Sequence, residues 1–252
     1  MSGVIDILIV MGTALLSIRL YVSGLHRRYR AFFLFLVFST LQNLAVAIAG
    51  AGSGAYQKIW VLTEPFEWLL YVCVVLELYA LVLHDYRGLY TAGRWLLMVA
   101  IVLALLASAV SLLVPSHYTR QGHLMTYYYM AERAIYFSLA VFLLTIFALL
   151  MRYPIALSRN SITHSMVFSV YFFSNAVIFL LVSTRGFEAI RIAGYATQAV
   201  NLAALGTWLA ILNPAGEKRR QVLRPVWMPG REAELVSQLN HLNVALLRAT
   251  RS

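Results

Sequence analysis

Seven apolar runs, each about the length that crosses a bilayer, occupy most of this chain. They cover residues 4–22, 31–49, 59–83, 95–114, 128–151, 163–183 and 190–212. A hydrocarbon core of ~30 Å takes about 20 residues of α-helix. In lipid the backbone polar groups must bond within their own segment, so such runs are expected to be helices. The expected fold is therefore all-α: a polytopic seven-transmembrane-helix bundle over residues 1–213. A basic tail, 214–252, follows and carries a short amphipathic helix. Composition agrees, because 61% of the residues are hydrophobic and 12% charged, where a soluble domain carries about 25% charged. The lipid bilayer is the first expected partner. Pro65 lies early in the third run and is expected to kink it.

The placement of charge gives the expected orientation. The turns after runs one, three and five hold Arg27, Arg28, Arg30, Arg87, Arg94, Arg152 and Arg159, and the tail adds Lys218, Arg219, Arg220, Arg224 and Arg231. The opposite side holds Lys58, Arg120, Arg185 and Arg191. Positive residues stay in the cytoplasm, so the N-terminus is expected outside and the C-terminus inside. The N-terminal run is not expected to be a cleaved signal peptide, since it carries Asp6 in place of a basic leader and is followed by Arg19 and Arg27. The net charge of +10 falls in short inter-helix clusters rather than on a folded soluble face, which argues against nucleic acid. The one cysteine, Cys73, lies inside an apolar run and is expected to be a packed side chain.

Ionisable and amide side chains inside the runs are the candidates for function, because each costs ~2.5–3.5 kcal/mol at mid-membrane on insertion scales. Glu64 and Glu67 are spaced i,i+3 and share one face of the third helix. Glu132 and Arg133 enter the fifth run at a similar depth, and an ion pair between Arg133 and Glu64 or Glu67 is expected. Gln42 and Asn43 on the second run, Asn175 on the sixth, and Gln198 and Asn201 on the seventh complete the polar set. Most of it falls in the outer half of the bundle. This set reads either as an outward-opening pocket for a small or lipophilic ligand or as a polar staple between helices. Glu77 stands deeper and on another face.

Several chemistries are excluded. A retinal Schiff base needs an intramembrane lysine, and the only lysines are Lys58 and Lys218, both outside the runs. No histidine sits at mid-membrane depth for haem. His117 and His123 lack a third ligand at motif spacing, so neither metal nor cofactor is expected. No nucleophile–base pair points to an enzyme.

The tail changes character after Gly216. Leu235, Leu239, Leu242 and Leu246 are spaced 4, 3 and 4, a heptad seam. Glu232 and Glu234 at its start and Arg248 and Arg251 at its end complement the helix dipole. The seam is expected to support a homodimer, to contact a signalling partner, or to lie on the membrane. The segment 234–248, ELVSQLNHLNVALLR, resembles the signalling helix that follows the membrane domain of bacterial sensor kinases. Seven spans with short loops are similar to the seven-helix sensory regions of those proteins. The resemblance implies a receptor-like sensor in the bacterial inner (plasma) membrane, signalling through its tail. No kinase sequence follows within the chain, so no catalytic residue is carried over. A transporter or transport accessory subunit is the alternative, and a membrane enzyme the second.

Overall fold

A computed structural model describes residues 2–50, 53–83, 123–152, 156–185, 187–218, 220–222 and 232–249, with residues 88, 91, 93–95, 97–99, 101, 102 and 106 between them. Helix α1 is Ser2–Val22, and a 3-10 turn at Leu25–Arg27 leads to α2, Arg30–Ala49. Then come α3, Gly54–Val82; α4, His123–Arg152; α5, Arg159–Arg185; and α6, Phe187–Ile211. Two shorter helices follow, α7 at Pro214–Lys218 and α8 at Glu232–Ala249.

Local chemistry explains the ends. Gly24 (φ 72°) and Gly50 (φ 78°) follow the ends of α1 and α2 at positive φ, where a Cβ would be strained. Ser53 caps α3, its Oγ accepting from the Tyr56 N–H at 3.0 Å, so this helix starts five residues before the apolar run begins. It continues unbroken through Pro65. Pro214 opens α7, where its missing N–H is no loss, and Asn213 Oδ1 accepts from Gly216 N–H at 2.7 Å.

Five helices are long and apolar enough to cross a membrane: Val4–Val22, Arg30–Ala49, Gly54–Val82, Ala131–Ala148 and Arg159–Val182. The fourth expected run, 95–114, is only partly described, and its described residues are helical. The seventh is helix α6, but Thr197, Gln198, Asn201 and Thr207 leave it too polar to join the five.

The faces of these helices are inverted relative to a soluble protein. On α1, Val4, Ile7, Leu8, Met11, Leu15, Ile18 and Val22 form an exposed apolar stripe along the whole helix. On α5 the outer face is Met166, Val170, Phe173, Val177, Leu180 and Leu181, while Ser161, His164, Ser165, Ser169 and Asn175 are buried. Water would not tolerate continuous apolar stripes of this size; hydrocarbon would. The chain has the build of a membrane protein.

The helices pack as a closed ring in chain order, with α6 returning to α1, and α5 also touches α3. The interior is strongly aromatic. Phe168 lies 4.8 Å from Trp208, 5.7 Å from Phe32 and 5.4 Å from Phe172, between ring centroids.

One element departs from the all-α expectation. Strand β1, Ala156–Ser158, pairs antiparallel with β2, Arg220–Val222, placing Ala156 opposite Val222 and Ser158 opposite Arg220. This ribbon ties the α4–α5 turn to the root of the tail.

Candidate functional site

The buried polar groups gather in two places, one toward each end of the ring. The first is built on a repeated Glu-x-x-x-Tyr spacing. Glu64, Glu67 and Tyr71 lie at i, i+3 and i+7 of α3, on one face. Glu132 and Tyr136 repeat the i,i+4 relation on α4, and α5 supplies Tyr171. The Tyr71 hydroxyl donates to Glu67 Oε1 at 2.8 Å and lies 2.8 Å from the Tyr171 hydroxyl. The rings of Tyr71, Tyr136 and Tyr171 form a near-regular triangle, with centroids 5.6, 5.9 and 6.2 Å apart. Gln42 of α2 reaches the same place: its Nε2 donates to Thr63 Oγ1 at 2.9 Å, and its amide also serves Glu67.

Glu64 and Glu132 are 4% and 5% exposed. The Glu132 carboxylate interacts electrostatically with Glu64 and Glu67 across the α3–α4 contact, and the Tyr136 hydroxyl faces it. Glu132 Oε2 is buried without a hydrogen-bond partner among the described residues. Three carboxylates thus share one interior site with tyrosines and an amide. Among the described residues the one ion pair joins Arg28 to Glu217, so the pairing of Arg133 with Glu64 or Glu67 expected from sequence is not found there. Arg133 itself is half-buried on α4.

The remaining candidates divide. Asn175, one turn beyond Tyr171, is fully buried; its Nδ2 donates to the Tyr171 carbonyl at 2.9 Å, and its Oδ1 has no partner among the described residues. Asn43 bonds back within its own helix, to the Ser39 carbonyl at 2.7 Å and Ser39 Oγ at 3.2 Å. Gln198 donates to Asp6 Oδ1 at 2.8 Å, a link between α6 and α1 on the exposed side, and Asn201 is half-buried one turn on. The site therefore sits between α2, α3, α4 and α5, and the α6 pair lies apart from it. Sequence reasoning missed Tyr71, Tyr136 and Tyr171, although the twice-repeated Glu-x-x-x-Tyr was there to be read.

The second polar region surrounds the basic turn. Arg28 Nε pairs with Glu217 Oε2 at 2.8 Å. The Tyr29 hydroxyl donates to Glu217 Oε1 and lies 3.3 Å from Ser161 Oγ. Burial, together with the hydrogen bond to Glu217, raises the Tyr29 hydroxyl well above its ordinary pKa. Asn160 Nδ2 donates to the Asn213 carbonyl at 2.7 Å. Gly216 is buried against the Asn160 carboxamide, leaving no room for a Cβ. Glu77 is explained here: its carboxylate accepts from the Ala31 N–H at 3.0 and 3.1 Å and the Phe32 N–H at 3.2 Å. It caps α2 from the neighbouring helix, satisfying donors that a helix start leaves open.

The tail helix returns to the bundle. Leu239 is 1% exposed and belongs to the core, Leu246 packs on it, and Asn243 Oδ1 accepts from the Gly88 N–H at 2.7 Å. Leu242, expected in the same seam, is 44% exposed. Leu239 and Leu246 of the expected seam thus dock on the bundle together with Asn243. The side chain of Leu235 lies outside the described residues.

Among the described residues no group of three His, Cys, Asp or Glu side chains converges as a metal ion would need. No protein-family model matches this chain, and no curated protein and no solved structure is significantly similar to it.

Proposed function

We propose that this chain is a seven-span receptor-like membrane protein, N-terminus outside and C-terminus in the cytoplasm. It binds a small ligand in the carboxylate–tyrosine site and passes the change to its tail. The seven-span count adds α6 and the run 95–114 to the five apolar helices. The orientation follows from the basic turns, which puts the acidic site in the outer half and the Arg28–Glu217 knot at the cytoplasmic face.

One observation carries the sensory reading over transport: buried side chains join the two polar regions without interruption. From Tyr171 the path runs to Phe168 at 6.3 Å, then His164 at 5.0 Å and Tyr29 at 5.3 Å, between ring centroids. Tyr29 holds Glu217 at the root of the tail. A change at Glu67 therefore has a packed route to α7 at the root of the tail, and packed cores shift between discrete arrangements rather than deform smoothly.

The test uses the full chain in nanodiscs, with Cys73→Ser and nitroxides at Arg27→Cys and His241→Cys. Glu67→Gln is expected to change the distance distribution between the labels. An unchanged distribution, together with cation flux into liposomes that Glu67→Gln abolishes, would replace sensing by transport. A cytoplasm-only reporter is expected to work after Arg30 and Ser252 and fail after Gly54; activity after Gly54 would break the orientation.

A further inference from the structure

We propose that the rim of the bundle around the basic turn binds the headgroup of an anionic phospholipid. Five basic side chains are exposed there: Arg27, Arg28 and Arg30 between α1 and α2, Arg159 at the start of α5 and Lys218 at the end of α7. One hydrogen-bonded knot gathers them. Arg28 pairs with Glu217 at 2.8 Å, and the Tyr29 hydroxyl joins Glu217 to Ser161. Asn160 holds the Asn213 carbonyl and lies against Gly216. Arg28 is itself a member of the knot. Arg27, Arg30, Arg159 and Lys218 are the chain neighbours of Arg28, Tyr29, Asn160 and Glu217, each about 3.8 Å away from Cα to Cα. Glu217 and Glu77, the acids bonded into this rim, are already engaged. Glu217 serves Arg28 and Tyr29, and Glu77 serves the N–H groups at the start of α2 and offsets part of the Arg30 charge. Arg27, Arg30, Arg159 and Lys218 are in no ion pair among the described residues, so the rim keeps an excess of positive charge.

Guanidinium groups present paired N–H donors that match phosphate oxygens, and basic residues at a membrane surface attract anionic lipid. The apolar surface that acyl chains need begins beside the charges. Tyr21 and Val22 are exposed at the end of α1, Leu34 lies one turn beyond Arg30 on α2, and Met166 lies two turns beyond Arg159 on α5, also exposed. A zwitterionic headgroup brings a cation of its own into the cluster, and a soluble phosphate makes no use of the apolar stripes. A phosphodiester on two acyl chains uses both surfaces. The orientation proposed above decides only which leaflet supplies the lipid. The carboxylate–tyrosine site plays no part, so either reading can fail alone.

Native mass spectrometry of the full chain in neutral maltoside micelles tests this by counting bound lipid as phosphatidylglycerol or phosphatidylcholine is added. Phosphatidylglycerol is expected to bind saturably and at least about tenfold more tightly than phosphatidylcholine. Arg27→Gln combined with Arg159→Gln breaks no ion pair among the described residues. It is expected to weaken phosphatidylglycerol about thirtyfold, or about fivefold for each charge removed. Lys58→Gln, toward the opposite end of α3 from Glu77, is expected to leave its binding unchanged. Equal retention of the two lipids by the wild type would overturn the inference, and that result needs no variant to fold. An equal loss in Lys58→Gln would overturn it too, by showing diffuse attraction to net charge. Displacement of phosphatidylglycerol by an equal concentration of sodium phosphate would assign the cluster to a free anion and overturn the lipid.

Discussion

The two buried polar regions differ in how their charge is balanced. At the basic turn the two acids meet complements: Glu217 has Arg28 and the Tyr29 hydroxyl, and Glu77 has the backbone N–H groups of α2. Asn160 Oδ1 and both His164 ring nitrogens are left there without partners among the described residues. Between α3 and α4, three carboxylates face one another, and one oxygen is left open among the described residues. Breaking a satisfied network leaves a buried group exposed to its full desolvation cost, whereas neutralising a member of an unbalanced one relieves repulsion. The first region therefore has the character of a structural joint and the second that of a site kept open at some cost in stability, as binding sites often are.

The largest expected effect falls on the ring that lies between them. Phe168 packs on Phe32, Trp208 and Phe172 and borders Tyr171. Phe168→Ala is expected to cost about 3–5 kcal/mol, the usual range for emptying an aromatic site, read as loss of thermal stability in nanodiscs. A loss below about 1 kcal/mol would mean that the two regions are not joined by a packed core.

The next effect concerns whether the basic end includes the tail. Leu239→Asp puts a charge where the side chain is 1% exposed, and Leu242→Asp puts one where it is 44% exposed. The first is expected to release α8, at about 2–5 kcal/mol of docking energy, and to open it to proteolysis. The second is expected to change stability by no more than about 0.5 kcal/mol. Equal sensitivity at both positions would favour the full heptad seam and assign the tail to a partner chain.

How much of this was legible in the sequence depends on how local each feature is. The apolar runs gave the helices, because length and hydropathy are properties of a single segment. Glu64, Glu67 and Glu132 stood out because carboxylates in hydrocarbon are rare. Their tyrosines did not, since a tyrosine within a span is ordinary, and only the spacing to a glutamate marks it. The capping by Glu77 joins residues more than forty positions apart, and β1 with β2 more than sixty, with three-residue strands that carry no pattern of their own. The tail was legible in part. A 4-3-4 leucine spacing marks Leu239 and Leu246, which dock on the bundle, but not Asn243, which lies between them and bonds to Gly88. Gln198 was grouped with the acids by depth alone; ring closure turns it toward Asp6 of α1 instead.

A smaller, pH-dependent effect separates the joint from the site. In the folded chain Tyr29 is buried and donates to Glu217, so its hydroxyl stays protonated above the ordinary value. An unfolded tyrosine ionises near pH 10. Above that pH the unfolded chain binds fewer protons than the folded one, and stability falls as pH rises. The contribution is fully present below about pH 10 and is lost as pH climbs toward the folded value. Tyr29→Phe is expected to cost about 1 kcal/mol at neutral pH and to flatten this alkaline slope in denaturation measured from about pH 8 to about pH 11. An unchanged slope would place the phenol in contact with water.

The smallest expected change has the opposite sign and bears most directly on the comparison. Glu132→Gln keeps the shape of the side chain, removes one of three facing carboxylates and supplies N–H donors where Oε2 now has none. If the acids are held together for a ligand, the uncharged variant folds at least as well as the wild type, with a gain of up to about 1 kcal/mol. The matching change in the joint, Glu217→Gln, removes the partner of Arg28 and is expected to lower stability by a similar amount. Thermal unfolding of both variants in the same nanodiscs reads the two signs side by side. A loss of more than about 2 kcal/mol for Glu132→Gln would make its carboxylate a structural staple between α3 and α4, and the two regions would then be of one kind.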